Sequence, residues 1–319
     1  MTDQTSNPSR FAAEEITAGV YRIDLGFQGT AGVIAAYLLV GGDDIALIET
    51  GPTSTRANLE AGLWEVGYAL SEVTRLIPTH IHLDHAGAVG TLMRDFPRMR
   101  LSVHAGGAPF LIDPERLLNS AERIYGAQMD ELWGEVVGAP ADRVDGLADG
   151  ERITVAGRTL LVKSTPGHAG THLAYLDEAT GTLFTGDAAG ARIAPLASVL
   201  PTVSPPEVDL AAWTTTVEVM RALRPERLAL THFGVFDDVQ AHLEQVVTNA
   251  ERELELVRQV LTTGGSPDEA TEMILAEERA IVDLEADGGV LLARMERAMP
   301  AWLATLGLAR VLRKAGEIE

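Results

Sequence analysis

The sequence predicts an α+β protein: a four-layer αββα sandwich, two sheets face to face with helices outside, extended by a C-terminal helical region. Three observations predict it. Short apolar runs with period-two alternation, separated by glycine-rich turns, fill roughly the first fifty residues and recur between 152 and 185. Helical spacing follows each set of runs, so the second half repeats the layout of the first. From residue 238 onward the apolar spacing is helical throughout. With 319 residues, 46% of them hydrophobic, the chain can bury a large core as one large domain or two.

In order, residues 1–10 are polar and read as a flexible tail. The sandwich is expected over 11–236 and the helical region over 237–319. Residues 16–27, with Val20, Ile23 and Leu25 among polar neighbours, read as a first strand. A glycine-rich connection covers 26–32, and strands follow at 33–40 and 45–48 around the turn Gly41-Gly42-Asp43-Asp44. Residues 54–70 form a helix whose apolar face holds Leu59, Leu63, Trp64 and Val66. A buried strand at 73–79 precedes a helix at 86–96 and a short strand at 101–104. Pro109, Asp113-Pro114, a helical segment at 121–125 and Trp133 mark 105–140 as an inserted helical excursion. Hairpins are expected at 152–163, turning at Ala156-Gly157, and at 173–185. Pro195, Pro201, Pro205 and Pro206 make 188–206 a loop, followed by a helix at 209–223 and a strand at 227–230. The final helices are 238–262, 267–284 and 286–314, broken at Gly264-Gly265-Ser266-Pro267 and at Pro300.

One stretch carries chemistry: His80-Ile81-His82-Leu83-Asp84-His85. An extended backbone aims alternate side chains one way, so His80 and His82 converge, and a turn after them brings in Asp84 and His85. Three imidazoles and a carboxylate this close are costly to bury without a cation between them. Pro166-Gly167-His168, Thr185-Gly186-Asp187 and Leu230-Thr231-His232 each place one further ligand-type residue just after a short apolar run. Together these segments point to a metal site.

The ordered set His80-x-His82-x-Asp84-His85, His168, Asp187, His232 resembles the metallo-β-lactamase fold hydrolases, nearest in motif to the glyoxalase II and lactonase branches. The resemblance covers about residues 15–235 and implies the metallo-β-lactamase sandwich. It implies His80, His82 and His168 on one metal, Asp84, His85 and His232 on a second, and Asp187 bridging them. Two divalent ions are implied, zinc foremost, with iron or manganese as alternatives because nitrogen and oxygen ligands accept all three. The implied reaction is hydrolysis of an ester, thioester or lactone by a metal-bridging hydroxide, with Asp84 as both ligand and general acid/base. The same ligands allow a phosphodiesterase or phosphotriesterase. An iron persulfide dioxygenase is a third reading, disfavoured by the complete second set of ligands.

Other candidates lie near the motif. Glu49 stands where related enzymes carry an aspartate just outside the metal ligands, one methylene longer, with a solvated strand end as the alternative. Tyr125 sits in the insertion, and some lactonases use a tyrosine hydroxyl near the substrate carbonyl; packing is its default role. His172, four residues past His168, reads as a surface or core histidine, with a place beside the ligands as the alternative. His104 reads as a core or hydrogen-bonded strand histidine, with a place lining the pocket as the alternative. The loops 26–32, 105–140 and 188–206 are expected to shape the pocket. In glyoxalase II a C-terminal helical region helps bind the thiol part of the substrate, and the resemblance allows the helices here to shape the pocket in that way; packing or building a homodimer is their default role.

Composition excludes other classes. There is no cysteine, so neither a disulfide framework nor a thiolate ligand exists. A net charge of −21 with only two lysines, Lys163 and Lys314, and no basic stripe argues against nucleic acid and for a small-molecule substrate. No apolar run long enough to span a membrane and no secretory signal is seen, making a cytoplasmic protein the expectation.

Overall fold

A computed structural model describes residues 12–283 and 285–319; the flexible tail expected at 1–10 lies outside the described residues. Sheet one has seven strands in sequence order: β1 (Ala13–Thr17), β2 (Val20–Asp24), β3 (Ala35–Gly41), β4 (Asp44–Ile48), β5 (Arg75–Ile77), β6 (Arg100–His104) and β7 (Val144–Leu147). Sheet two has six, ordered β13 (Gly234–Phe236), β12 (Arg227–Leu230), β11 (Thr182–Gly186), β10 (Leu173–Asp177), β9 (Arg158–Ser164) and β8 (Arg152–Val155). Both are mixed: hairpins pair antiparallel, while β4 to β7 and the β11–β12 pair run parallel.

Alternation along each strand explains why both faces are covered. In β3, Ala35, Tyr37 and Leu39 point into the core between the sheets, while Ala36 and Leu38 join the outer core of sheet one. In β12, Ala229 faces the inner core and Leu228 and Leu230 the outer core of sheet two. Helices α1 (Arg56–Glu65) and α3 (Val89–Asp95) contribute Leu59, Leu63 and Leu92 to the outside of sheet one. Helices α7 (Leu210–Ala222), α8 (Val239–Thr262) and α11 (Ala301–Ala315) contribute Val217, Val246 and Leu308 to the outside of sheet two. The predicted four layers are present.

Several boundaries differ from the sequence reading. The first strand is two, β1 and β2, because Ala18-Gly19 turns: Gly19 has φ +69°, and a Cβ there would sit 2.6 Å from the Val40 carbonyl oxygen. The strand before the histidine motif ends at Ile77, since Pro78 has no N–H for the ladder. His80 and His82 therefore lie in a bend, not on extended strand, and Asp84 and His85 lie on a one-turn helix, α2 (Leu83–Ala86). Strands β7 and β13 were not anticipated; each is short. The insertion is α4 (Ala108–Ile112), α5 (Glu115–Tyr125) and α6 (Met129–Trp133). The last helices are α9 (Pro267–Val282), α10 (Gly288–Ala298) and α11, parted at Pro300 as expected. No described helix is long and apolar enough to cross a membrane.

The two sheets are tied where their strands end. Tyr37 Oη donates to the Leu230 carbonyl at 2.5 Å and Tyr175 Oη to the Pro78 carbonyl at 2.8 Å. The Ala35 amide donates to Thr231 and the Leu173 amide to Thr79, at 2.9 and 2.8 Å. Thr79 and Thr231 immediately precede His80 and His232, so these ties fix the backbone that carries the site.

Candidate metal centre

The bend after β5, helix α2, the loop after β9, and the ends of β11 and β12 bring all seven predicted side chains to one place. The ring nitrogens of His80 (Nε2), His82 (Nδ1) and His168 (Nε2) form a triangle with sides of 2.9, 2.9 and 3.2 Å. Beside it, His232 Nε2 lies 3.2 Å from Asp84 Oδ2, and His85 Nε2 lies 3.5 Å from the same oxygen. Asp187 stands between. Its Oδ2 is 3.2 Å from His168 Nε2, and its Oδ1 is 3.2 Å from His85 Nε2 and 3.5 Å from His232 Nε2.

The surroundings orient these rings and leave one nitrogen of each free for the centre. His168 Nδ1 donates to the Thr202 carbonyl at 2.6 Å and His232 Nδ1 to the Val33 carbonyl at 2.9 Å. His85 Nδ1 donates to Glu49 Oε1 at 3.0 Å. Glu49 is fully buried and also accepts from the Thr79 amide and hydroxyl and from the Thr231 hydroxyl, at 3.1, 2.6 and 3.0 Å. It is no solvated strand end: it pins three of the site's segments together, from a backbone at φ +63°. His172 is fully buried too, which removes the surface alternative. Its Nδ1 donates to Thr165 Oγ1 at 2.7 Å, its Nε2 accepts from the Asp187 amide at 3.2 Å, and its ring stacks on His80. It thus positions Asp187 by its backbone.

Charge divides the site in two. Burial, and then the neighbouring imidazoles, hold His80 well below the usual histidine range; burial and then His168 push His82 down to about 3. These rings are neutral, so their lone pairs meet at hydrogen-bond distance with too few protons to go round. On the other side burial opposes charge, but Asp84, Asp187 and Glu49 outweigh it and raise His85 well above its ordinary value; Asp187 and Asp84 do the same, less strongly, for His232. The imidazoles in turn outweigh burial and hold Asp84 and Asp187 below the usual carboxylate range. His85 Nε2 and Asp187 Oδ1 are buried without a hydrogen-bond partner. Three close sets of donor atoms result: His80, His82 and His168; His80, His85 and Asp187; Asp84, His85 and His232. Facing lone pairs and orphaned buried atoms are costly alone and fit a divalent cation. Ligands about 2.0–2.1 Å from a tetrahedral ion are roughly 3.3 Å apart, close to the spacings here.

A cavity of about 720 Å³ opens onto this cluster, reaching His82, Asp84 and Asp187 at its floor. As expected, loops 26–32, 105–140 and 188–206 contribute walls, through Phe27, Trp133 and Pro205 among others. Of the two roles open to the C-terminal region, it takes the pocket-shaping one besides packing: the α10–α11 junction, within residues 296–303, lines the cavity as well. Tyr125 borders the cavity and packs edge-on against Trp133 and Trp302. Burial, then the charges of Asp84 and Asp187, raise its phenol above the ordinary value. His104 takes no part; its Nδ1 accepts from the Gly106 amide at 2.9 Å. Sequence reasoning missed Thr79 and Thr231, whose hydroxyls donate to Glu49, although the repeated Thr-His pairs at 79–80, 171–172 and 231–232 were a readable signal; Thr202, whose carbonyl accepts from His168, was missed too. It also missed buried His242, whose Nε2 donates to the Ala189 carbonyl beneath the site.

Residues 29–232 match the Metallo-beta-lactamase superfamily. A metallo-beta-lactamase fold-containing protein of Sulfurisphaera tokodaii is 24% identical, over 73% of this chain and 86% of its own. A hydroxyacylglutathione hydrolase of a Synechococcus species is 30% identical over 47% of each chain, so the match spans about half of that relative. An atrochrysone carboxyl ACP thioesterase of Aspergillus fumigatus is 23% identical over 60% of this chain and 35% of its own. Among solved structures, a metallo-beta-lactamase family protein of Thermus thermophilus superposes with a TM-score of 0.69 at 25% identity, covering 95% of both chains. The family match covers more than half of the chain and ends on His232, the last histidine of the cluster, so this protein belongs to the metallo-beta-lactamase superfamily of metallo-hydrolases.

Proposed function

We propose that the chain is a dinuclear-metal-dependent hydrolase of carboxylic esters, thioesters or lactones. The observation that carries this reading is Asp187, which turns one oxygen to the His80–His82–His168 side and the other to the Asp84–His85–His232 side. His80, His82 and His168 would hold one divalent ion, Asp84, His85 and His232 the other, and Asp187 both. Imidazole nitrogen and carboxylate oxygen suit zinc, with iron or manganese as alternatives. When bound, such a pair supplies an ionised water at neutral pH and polarises a substrate carbonyl.

The chain's own groups do the rest. Asp84 is the carboxylate of the cluster that reaches into the open cavity, its side chain 23% exposed against 6% for Asp187. It is placed to accept a proton from the attacking water and return it to the leaving group. Tyr125, kept protonated, is a hydrogen-bond donor at the cavity wall, available to a substrate oxygen. Glu49 and His172 hold His85 and Asp187 in register, and the aromatic walls exclude bulk water. The names of two matched relatives, a hydroxyacylglutathione hydrolase and an ACP thioesterase, favour thioesters within the class.

The test is metal content and rate on one sample. Chelator-stripped protein is expected to lose hydrolysis across ester, thioester, lactone and phosphoester panels and to regain it with zinc, manganese or iron, at two metals per chain. Hydrolysis that persists without metal, or saturation at one ion, would sink the dinuclear reading.

A further inference from the structure

The cavity wall gathers three arginines that no acid pairs with among the described residues. In a protein of net charge −21, arginines are readily matched by acids: Arg22 pairs with Glu14, Arg75 and Arg100 with Asp145, Arg158 with Asp177. Arg116 and Arg123 on α5 and Arg297 on α10 all line the cavity, and among the described residues none of the three makes an ion pair. The Arg116 guanidinium lies over the Phe110 ring, 5.4 Å from its centroid. Arg297 gives Nη1 to the Ala293 carbonyl in its own helix at 3.0 Å, and its buried Nε has no partner.

The cavity's carboxylates take their hydrogen bonds from groups other than these arginines. Glu207 Oε2 accepts from the Gly170 amide and Glu296 Oε1 from the Ala301 amide, each at 2.9 Å. Asp84 and Asp187 face the imidazoles. Three guanidinium groups from two helices thus line one partly aromatic cavity, and none of them is ion-paired with its carboxylates among the described residues. A guanidinium fork matches a carboxylate or phosphate in geometry as well as charge.

We propose that this site selects substrates with an anionic group, a carboxylate in its simplest form, remote from the bond that is cut. Arg297 receives that group with Arg116 and Arg123 across the cavity. The inference rests on the hydrolytic reading above and deepens it. Neutral esters of the same length leave the guanidinium groups unanswered and are poorer substrates.

The experiment compares the mono-para-nitrophenyl ester of adipate with para-nitrophenyl hexanoate, equal in acyl length and differing by one carboxylate. The readout is the ratio of their kcat/KM values on metal-replete protein. Adipate itself is titrated separately against tryptophan emission, since Trp133 and Trp302 line the cavity. The ratio is expected to favour the adipate ester by about ten- to a hundredfold, the worth of a charged hydrogen bond, and to shrink with added salt. Arg297→Gln is expected to collapse it, and Arg123→Gln, at an exposed position that does not threaten folding, to lower it. Arg98→Gln, which removes the same charge outside the cavity wall, leaves the ratio unchanged. A wild-type ratio near one, or a preference that survives both cavity substitutions, overturns the proposal while leaving the hydrolase reading intact. If neither ester is cut yet adipate quenches the emission, and both cavity substitutions abolish the quenching, the anion site stands and the hydrolytic reading falls for esters. If neither is cut and adipate does not bind, the proposal is overturned.

Discussion

Two groups of buried carboxyls in this chain live in opposite surroundings. Asp84, Asp187 and Glu49 meet imidazoles, hydroxyls and backbone amides, and Glu49 alone accepts from four donors. Glu253 on α8 and Glu278 on α9 are as buried as Asp187 and Glu49, and more so than Asp84, yet Glu253 Oε2 and Glu278 Oε2 have no partner. Burial pushes Glu253 up to about 8; burial, then Glu296 and Glu253, push Glu278 up to about 9. A carboxyl fed by donors stays ionised in the interior and can serve a cation, whereas one without donors keeps its proton. Burial alone therefore says nothing about function. The donors do.

The largest break in that contrast comes from Asp187. Asp187→Asn keeps the shape but removes the charge shared by the two nitrogen clusters. It is expected to lower kcat/KM by at least ~10³-fold, about 4 kcal/mol, with loss of one metal per chain. A variant that keeps two metals and near-normal rate would show that the bridge is dispensable.

Glu49→Gln comes next. The amide accepts only through its oxygen: with oxygen at the Oε1 place the Thr79 N–H contact is lost, and with nitrogen there the Thr79 hydroxyl, Thr231 and His85 contacts are lost together. Metal affinity or activity is expected to fall about 10- to 100-fold, the usual cost of disturbing a group that orients a ligand. Metal affinity measured by chelator competition checks it.

Tyr125→Phe probes how far the charge of the first group reaches, since Asp84 and Asp187 both act on that phenol. A drop in kcat of less than about tenfold with KM unchanged is expected if the hydroxyl donates to substrate, as for a single neutral hydrogen bond. A loss of melting temperature with unchanged kcat would assign the ring to packing against Trp133 and Trp302 alone.

The same contrast explains what was legible in the sequence. The seven clustered side chains were readable because metal chemistry demands particular residue types, and each follows a short buried strand that gives away its position. Glu49 was readable only as a position, because its four partners come from segments 30 to 182 residues away. Asp84 and His85 were placed correctly in space but not on a helix, since one turn is too short to show a period. Strand β7 was missed because Val144-Asp145-Gly146-Leu147 has no alternation to display and is held in place by the parallel pairing with β6. The cavity wall was legible as segments but not as individual residues. Residues 116–133 and 296–303 carry no shared motif, and only the packing of α10 and α11 brings them together around the site.

The smallest effect on activity, and the sharpest on stability, belongs to the second group. Glu253 and Glu278 hold their protons in the folded chain to about pH 8 and about pH 9, while the ordinary glutamate value is 4.5. The unfolded chain therefore gives up these protons first, and stability falls as pH rises from about 4.5 through about 8 for one group and about 9 for the other. Glu253→Gln with Glu278→Gln removes both titrations while keeping volume, and the amide introduced on α9 can donate to Glu296, the carboxylate that Glu278 meets on α10. The double variant is expected to melt near the wild-type temperature at pH 5 and several degrees above it at pH 9, with turnover at pH 7 within about twofold. Melting curves of the two proteins that fall in parallel from pH 5 to pH 9 would mean that the C-terminal helices open and hydrate these carboxyls without cost. The contrast with the donor-rich group would then be one of mobility rather than of charge.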